Sequence, residues 1–181
     1  LEGLLENEQE ISLVDMFESP IDIYMEEVTG ISVMVPSQCH LSVTSEGTQT
    51  FISTVSPGGL ITMSVYISVN NNMEEGMALM EGFKEVMAEF GRVMIPEEDD
   101  ITDFSTDPDN PYYSEYVENT LSDDNGNITG EFFADLIIND GDFLAITVTI
   151  NDWNELDQNP EERMFLYLME TCALLSDFTI Y

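Results

Sequence analysis

Residues 61–69, Ile-Thr-Met-Ser-Val-Tyr-Ile-Ser-Val, alternate without a break. Ile61, Met63, Val65, Ile67 and Val69 face one way; Thr62, Ser64, Tyr66 and Ser68 face the other. A repeat of two is the signature of a strand, and one apolar side means that one face of its sheet lies in a core. A second face able to be wet suits an antiparallel sheet better than a parallel one. Residues 143–150 repeat the pattern, with Leu144, Ile146, Val148 and Ile150 opposed to Thr147 and Thr149. Ile128 to Ile138 alternates through Phe132, Ala134 and Leu136, and Asn139-Asp140-Gly141-Asp142 supplies turn chemistry, so 128–150 predicts a hairpin.

Shorter alternating runs precede these. Ile21–Met25 and Ile31–Val35 are divided by Thr29-Gly30 and closed by Pro36, a residue that suits a strand end. Leu41 to Val43 and Gln49–Val55 follow, with turns at Ser45-Glu46-Gly47 and Ser56-Pro57-Gly58-Gly59. A strand is expected from Tyr112 to Leu121, ending in the Asn-Gly turn at 122–126.

Two segments carry helical spacing. Asn70-Asn71-Asn72 caps the first, over 72–90, where Met73, Met77, Met80, Met87 and Phe90, with Leu79, Phe83 and Val86 beside them, form a broad apolar stripe. Glu74 and Glu75 sit at its positive end, and Gly91 is its expected stop. The second runs over 160–176, with Asn159 as N-cap, Pro160 in the first position and Glu162 where a capping-box carboxylate belongs. Residues 1–19 read as an acidic leader or tether with one helical turn near Leu13–Phe17, and 96–111 as a loop. The expectation is a single α+β domain over 20–181: an antiparallel sheet flanked by helices.

Charge limits what such a domain can bind. Thirty-seven acids stand against Lys84, Arg92 and Arg163, a net of −34. That surface repels nucleic-acid phosphates and anionic membranes, so direct contact with either is not expected. The excess fits three roles: solubility of an exported protein, adaptation to high salt, or mimicry of a nucleic-acid backbone. No run approaches the ~20 apolar residues of a membrane-spanning helix. The chain opens at Leu1 without methionine, which leaves room upstream for an export signal or lipid anchor.

Chemistry-bearing residues are sparse. Cys39 and Cys172 either pair in an oxidising compartment or serve as small buried apolar residues. His40, the single histidine, has no spacing partner for zinc and no Gly-x-Ser-x-Gly elbow for a hydrolase triad. Hard oxygen ligands for calcium are offered by Asp107 and Asp109 in one loop and Asp123 and Asp124 in another, although the second does not follow the EF-hand template. Among so many acids, chance carboxylate pairs carry no signal for glycoside hydrolysis. No cofactor motif is present, and an enzyme is not expected. Trp153, in a polar connection, either joins Tyr112, Tyr113 and Tyr116 in a binding patch or lids the core at the sheet's edge.

The segment Val28-Thr29-Gly30-Ile31-Ser32-Val33-Met34-Val35-Pro36 resembles the opening of PsbP-like domains, named for an extrinsic protein of photosystem II and including small bacterial lipoproteins. The ending Leu174-Leu175-Ser176-Asp177-Phe178 is similar to the close of their last helix, and the 128–150 hairpin occupies the corresponding place. Where those domains often carry a tryptophan shortly after the proline, this chain has Cys39-His40. The resemblance implies an α/β/α sandwich, exported and usually non-catalytic, and carries over no active-site residue. The expected function is therefore a non-catalytic extracytoplasmic binding or accessory domain of an exported or surface-anchored bacterial protein, monomeric or dimeric, with a protein or small-molecule ligand. An acidic partner-binding protein, such as a secretion chaperone or nucleic-acid mimic, is the alternative.

Overall fold

The computed structural model describes residues 21–25, 27, 30–89, 92–95, 104–105, 112–123 and 125–176. The leader assigned to 1–19 and most of the 96–111 loop lie outside them. Strands are numbered along the chain. A two-stranded ribbon pairs β1 (Ile21–Met25) with β2 (Ser32–Pro36). The main sheet sets side by side β3 (His40–Glu46), β4 (Gln49–Val55), β5 (Ile61–Ser68), β10 (Asp142–Ile150), β9 (Ile128–Asn139), β8 (Tyr112–Ser122) and β6 (Arg92–Ile95). β7 (Phe104–Ser105) also pairs with β8. Every pairing is antiparallel. Among the described residues, helices α1 (Met73–Glu89), α2 (Trp153–Asp157) and α3 (Pro160–Leu175) complete an α+β fold.

The β9–β10 hairpin turns on Asp140 and Gly141, at φ of 50° and 93°. Both residues of the loop take the left-handed region, which Asp tolerates and Gly favours, and which matches the twist of the flanking strands. Gly141 is required a second time, because a Cβ there would collide with the Asn71 carbonyl at the entrance to α1. Asn72 caps that helix in a reciprocal box: its Oδ1 accepts from the Glu75 amide at 3.0 Å, and Glu75 Oε2 accepts from the Asn72 amide at 2.9 Å.

Register assigns the side chains to two faces. On one, Ile61, Met63, Val65 and Ile67 of β5 join Leu144, Val148 and Ile150 of β10 under Phe165, Leu166, Leu168 and Met169 of α3. Ile31 and, from β2, Val33 and Val35 pack into the same cluster, so this face is apolar and closed. On the other, Met80 of α1 meets Phe132, Ala134, Leu136 and Ile138 of β9 and Phe143 and Ala145 of β10. Full burial of each Val, Leu, Ile, Met or Phe side chain among them stabilises by about 1.5–3 kcal/mol.

Glu162 corrects a local expectation. The helix cap itself is as expected, with Asn159 Oδ1 accepting from the Glu162 amide at 3.3 Å. The Glu162 carboxylate, however, does not return to the cap. It is 3% exposed and reaches across to the β4–β5 turn. Its oxygens accept from Ser56 Oγ at 2.5 Å, the Gly58 amide at 2.6 Å and the Leu60 amide at 3.3 Å. A turn's own unpaired amides thus hold a buried carboxylate, and α3 is pinned to the sheet. Gly58 permits the approach, since a Cβ there would lie 2.6 Å from Glu162 Cδ.

Candidate functional site: a hydroxyl-floored groove beside α1

The face of the sheet under α1 is apolar over β9 but polar over β4 and β5, and this decides where the helix lies. Phe132, Ala134, Leu136 and Ile138 need cover; Ser53, Thr62 and Ser64 do not. α1 therefore packs on β9 and β10, and no described element covers the polar half of the face. The result is a groove of about 280 Å³.

Its floor is a grid set by strand register. Ser53, Ser64 and Thr147 stand in one row across β4, β5 and β10, and Thr62 and Thr149 stand in the next. The first row is loosely tied: Ser64 Oγ lies 3.5 Å from Ser53 Oγ, and Thr147 Oγ1 lies 3.5 Å from the Ser64 carbonyl. Both distances are at the long limit of a hydrogen bond. Phe51 and Tyr66 at one end, Phe83 and Met87 from α1, and Phe132 from β9 form the walls. Asn151 closes the opposite end, anchored by its side-chain amide on the Gly59 carbonyl at 2.9 Å. Burial raises the Tyr66 phenol above its ordinary pKa, against a lowering hydrogen bond with Ser68, so the phenol stays neutral. No charged residue is among the described residues lining this groove. The nearby cation is engaged elsewhere: Lys84 is bound by Glu81 at 2.8 Å and Glu115 at 3.0 Å, and the Tyr113 hydroxyl donates to Glu115 at 3.3 Å.

The aromatic residues singled out in the sequence are not brought together. Trp153 opens α2 and packs against the core on the α3 face, beyond the end of β10. Tyr113 packs against the cluster under α1. Tyr112 and Tyr116 alternate with it on β8 and so point to the other face, where the Tyr116 hydroxyl donates to Glu118 at 2.8 Å. Tyr112 stands opposite Asn139, at the end of the hairpin remote from Trp153. The sheet thus divides Tyr113 from Tyr112, Tyr116 and Trp153.

Asp123 is committed to its own turn, where Oδ1 accepts from the Asn125 and Asn127 amides at 2.8 and 2.9 Å and Oδ2 from the Asn127 side chain at 3.0 Å. Those bonds hold its carboxyl below the usual range. Asp124, Asp107 and Asp109 lie outside the described residues, among which no group of three potential metal ligands occurs. Cys39 and Cys172 are both free thiols. Burial, the Glu162 carboxylate and Cys172 push Cys39 up to about 12, and burial pushes Cys172 up to about 11. Neither is a nucleophile at neutral pH. On the outer side of the ribbon, Ile21, Ile23 and Met25 are exposed.

Among the described residues no helix is long and apolar enough to cross a membrane. No protein-family model matches the chain, and no curated protein matches it.

Proposed function

We propose that this chain is a non-catalytic binding domain of an exported or surface-anchored bacterial protein, built as a PsbP-like α/β/α sandwich, and that the groove beside α1 receives its ligand. The observation that carries this reading is the uncharged floor of the groove in a chain of net charge −34. A concave surface with apolar walls and a few convergent polar groups is the usual form of a small-molecule site. The described residues that line it include no carboxylate, imidazole, amine or thiol, and the one titratable group, the Tyr66 phenol, is held neutral, which favours binding over turnover. An acidic exterior keeps such a domain soluble and repels anionic competitors.

The threonine and methionine methyls of the groove offer a direct test. In a methyl-resolved NMR titration with a library of uncharged small molecules, binders should move Thr62, Thr147, Thr149 and Met87 while leaving Met63 and Met169 in place. Ser53→Trp, which fills the floor, should abolish those shifts. Binders that move only methyls outside the groove, or that ignore the tryptophan, would refute the assignment.

A further inference from the structure

We propose that the ligand is a neutral saccharide, an inference that rests on the groove being the binding site. The floor selects for groups that donate and accept at once. Each serine or threonine hydroxyl offers one donor and two acceptor positions. In this floor those capacities are mostly unspent, because the first row holds only the two 3.5 Å contacts. Thr62 and Thr149 have no side-chain hydrogen bond to another described residue. Adjacent strands stand about 4.8 Å apart, and alternate residues on one strand about 6.8 Å apart. The grid therefore presents hydroxyls at intervals suited to a polyol whose own hydroxyls project from one edge.

The walls select for the remainder of the ligand. Phe51 is 44% exposed although it is a large apolar side chain, and Phe83, Phe132 and Met87 complete an apolar rim over polar ground. A pyranose ring has this same division, with C–H patches on its faces and hydroxyls around its equator. Its faces can lie against the aromatic rings while its edge meets the floor. Charge and the polar floor set the saccharide apart from its rivals. An anionic sugar or phosphate ester would meet the field of 34 net negative charges with no cation among the described lining residues to receive it. A cation would be drawn by that field and would find aromatic faces, but no carboxylate among the described lining residues, and it would leave the floor's donor capacity unused. At about 280 Å³ the groove lies near the small end of ligand clefts, roughly 300–1,000 Å³, which suits a short saccharide rather than a long chain.

The experiment titrates the full chain with maltotetraose, cellotetraose, mannotetraose and chitotetraose, and with choline, toluene and tetragalacturonate as contrasts. Calorimetry and the groove methyl resonances are read together. At least one neutral tetrasaccharide should bind and shift the Thr62, Thr147, Thr149 and Met87 methyls. Thr149→Val and Thr62→Val keep the side-chain shape and remove one hydroxyl each, and either should weaken that binding by roughly 3- to 10-fold. Ser53→Trp should abolish it. Choline or toluene moving the same methyls while every saccharide fails would overturn the saccharide assignment and leave the groove as a site for another class. The same holds if the valine variants bind a saccharide unchanged. Silence of the groove toward these probes and toward the uncharged library alike would overturn both the saccharide and the binding-domain reading.

Discussion

The two faces of this sheet begin from the same alternation and end differently. On the α3 face, the odd-numbered residues of β5 and their even-numbered neighbours on β10 are aliphatic, and a helix and a ribbon close over them. On the α1 face, the same two strands present Thr62, Ser64, Thr147 and Thr149, and the helix stands aside. A face that is apolar throughout needs complete cover, whereas a face that changes from apolar to hydroxyl needs cover only as far as the boundary. The contrast separates what holds the molecule together from what the described elements leave uncovered.

Substitutions can break or sharpen that contrast. The largest expected effect is on the closed face, where Met63→Ala removes a fully buried side chain and should cost about 2–5 kcal/mol in denaturant unfolding. Glu162→Gln comes next. It retains size but loses the charge that holds the Ser56, Gly58 and Leu60 donors, and should cost about 1.5–3 kcal/mol by the same measurement. Asn159→Ala removes the α3 cap and should lower stability by about 0.5–2 kcal/mol without altering the far-ultraviolet dichroism. On the open face, Ser64→Ala should stay within about 0.5 kcal/mol of the parent, since its side-chain bond is long and partly solvated. Equal losses for Met63→Ala and Ser64→Ala would erase the distinction.

A smaller, diffuse effect of pH sharpens it further. Burial raises the carboxyls of Glu131, Asp135 and Glu170 above their ordinary values, with the Glu118 charge adding to Glu131. Glu131 and Asp135 face away from the groove, and Glu170 belongs to α3. A raised folded-state pKa means that the folded chain holds its proton more tightly, so this stability is complete below about pH 4 and is lost as pH rises through the folded values. Asp123 is shifted the opposite way but is fully exposed. Melting temperature should therefore drift downward between about pH 4 and pH 7, and Glu131→Gln with Glu170→Gln should flatten the drift.

Much of this fold was legible because burial on one side leaves a period of two. The strands at 49–55, 61–68, 128–139 and 142–150 follow from alternation, and the N-caps of α1 and α3 from Asn72 and Asn159. What escaped was set by partners distant in sequence. Glu162 has a capping-box position, yet the donors it meets are about a hundred residues away in the Ser56–Leu60 turn. β6 is only four residues long and has no alternation strong enough to announce it. Ile21, Ile23 and Met25 alternate like a core strand, but pairing with β2 turns them outward. The groove was half visible: Thr62, Ser64, Thr147 and Thr149 stood out as the wet side of their strands. Only the cross-strand register shows that they form one floor, and only the limit of the apolar patch on β9 shows that α1 leaves it open.

Accessibility of methionine methyls measures the central contrast most directly. With the methionines labelled on their methyl carbons, a neutral gadolinium chelate broadens the resonances it can approach. Met87 at the groove should broaden strongly, while Met63 and Met169, at 1% and 0% exposure, should keep their linewidths at the same chelate concentration. Met87 as protected as Met63 would mean that the face beside α1 is closed, and the account of an open, ligand-accepting side would be wrong.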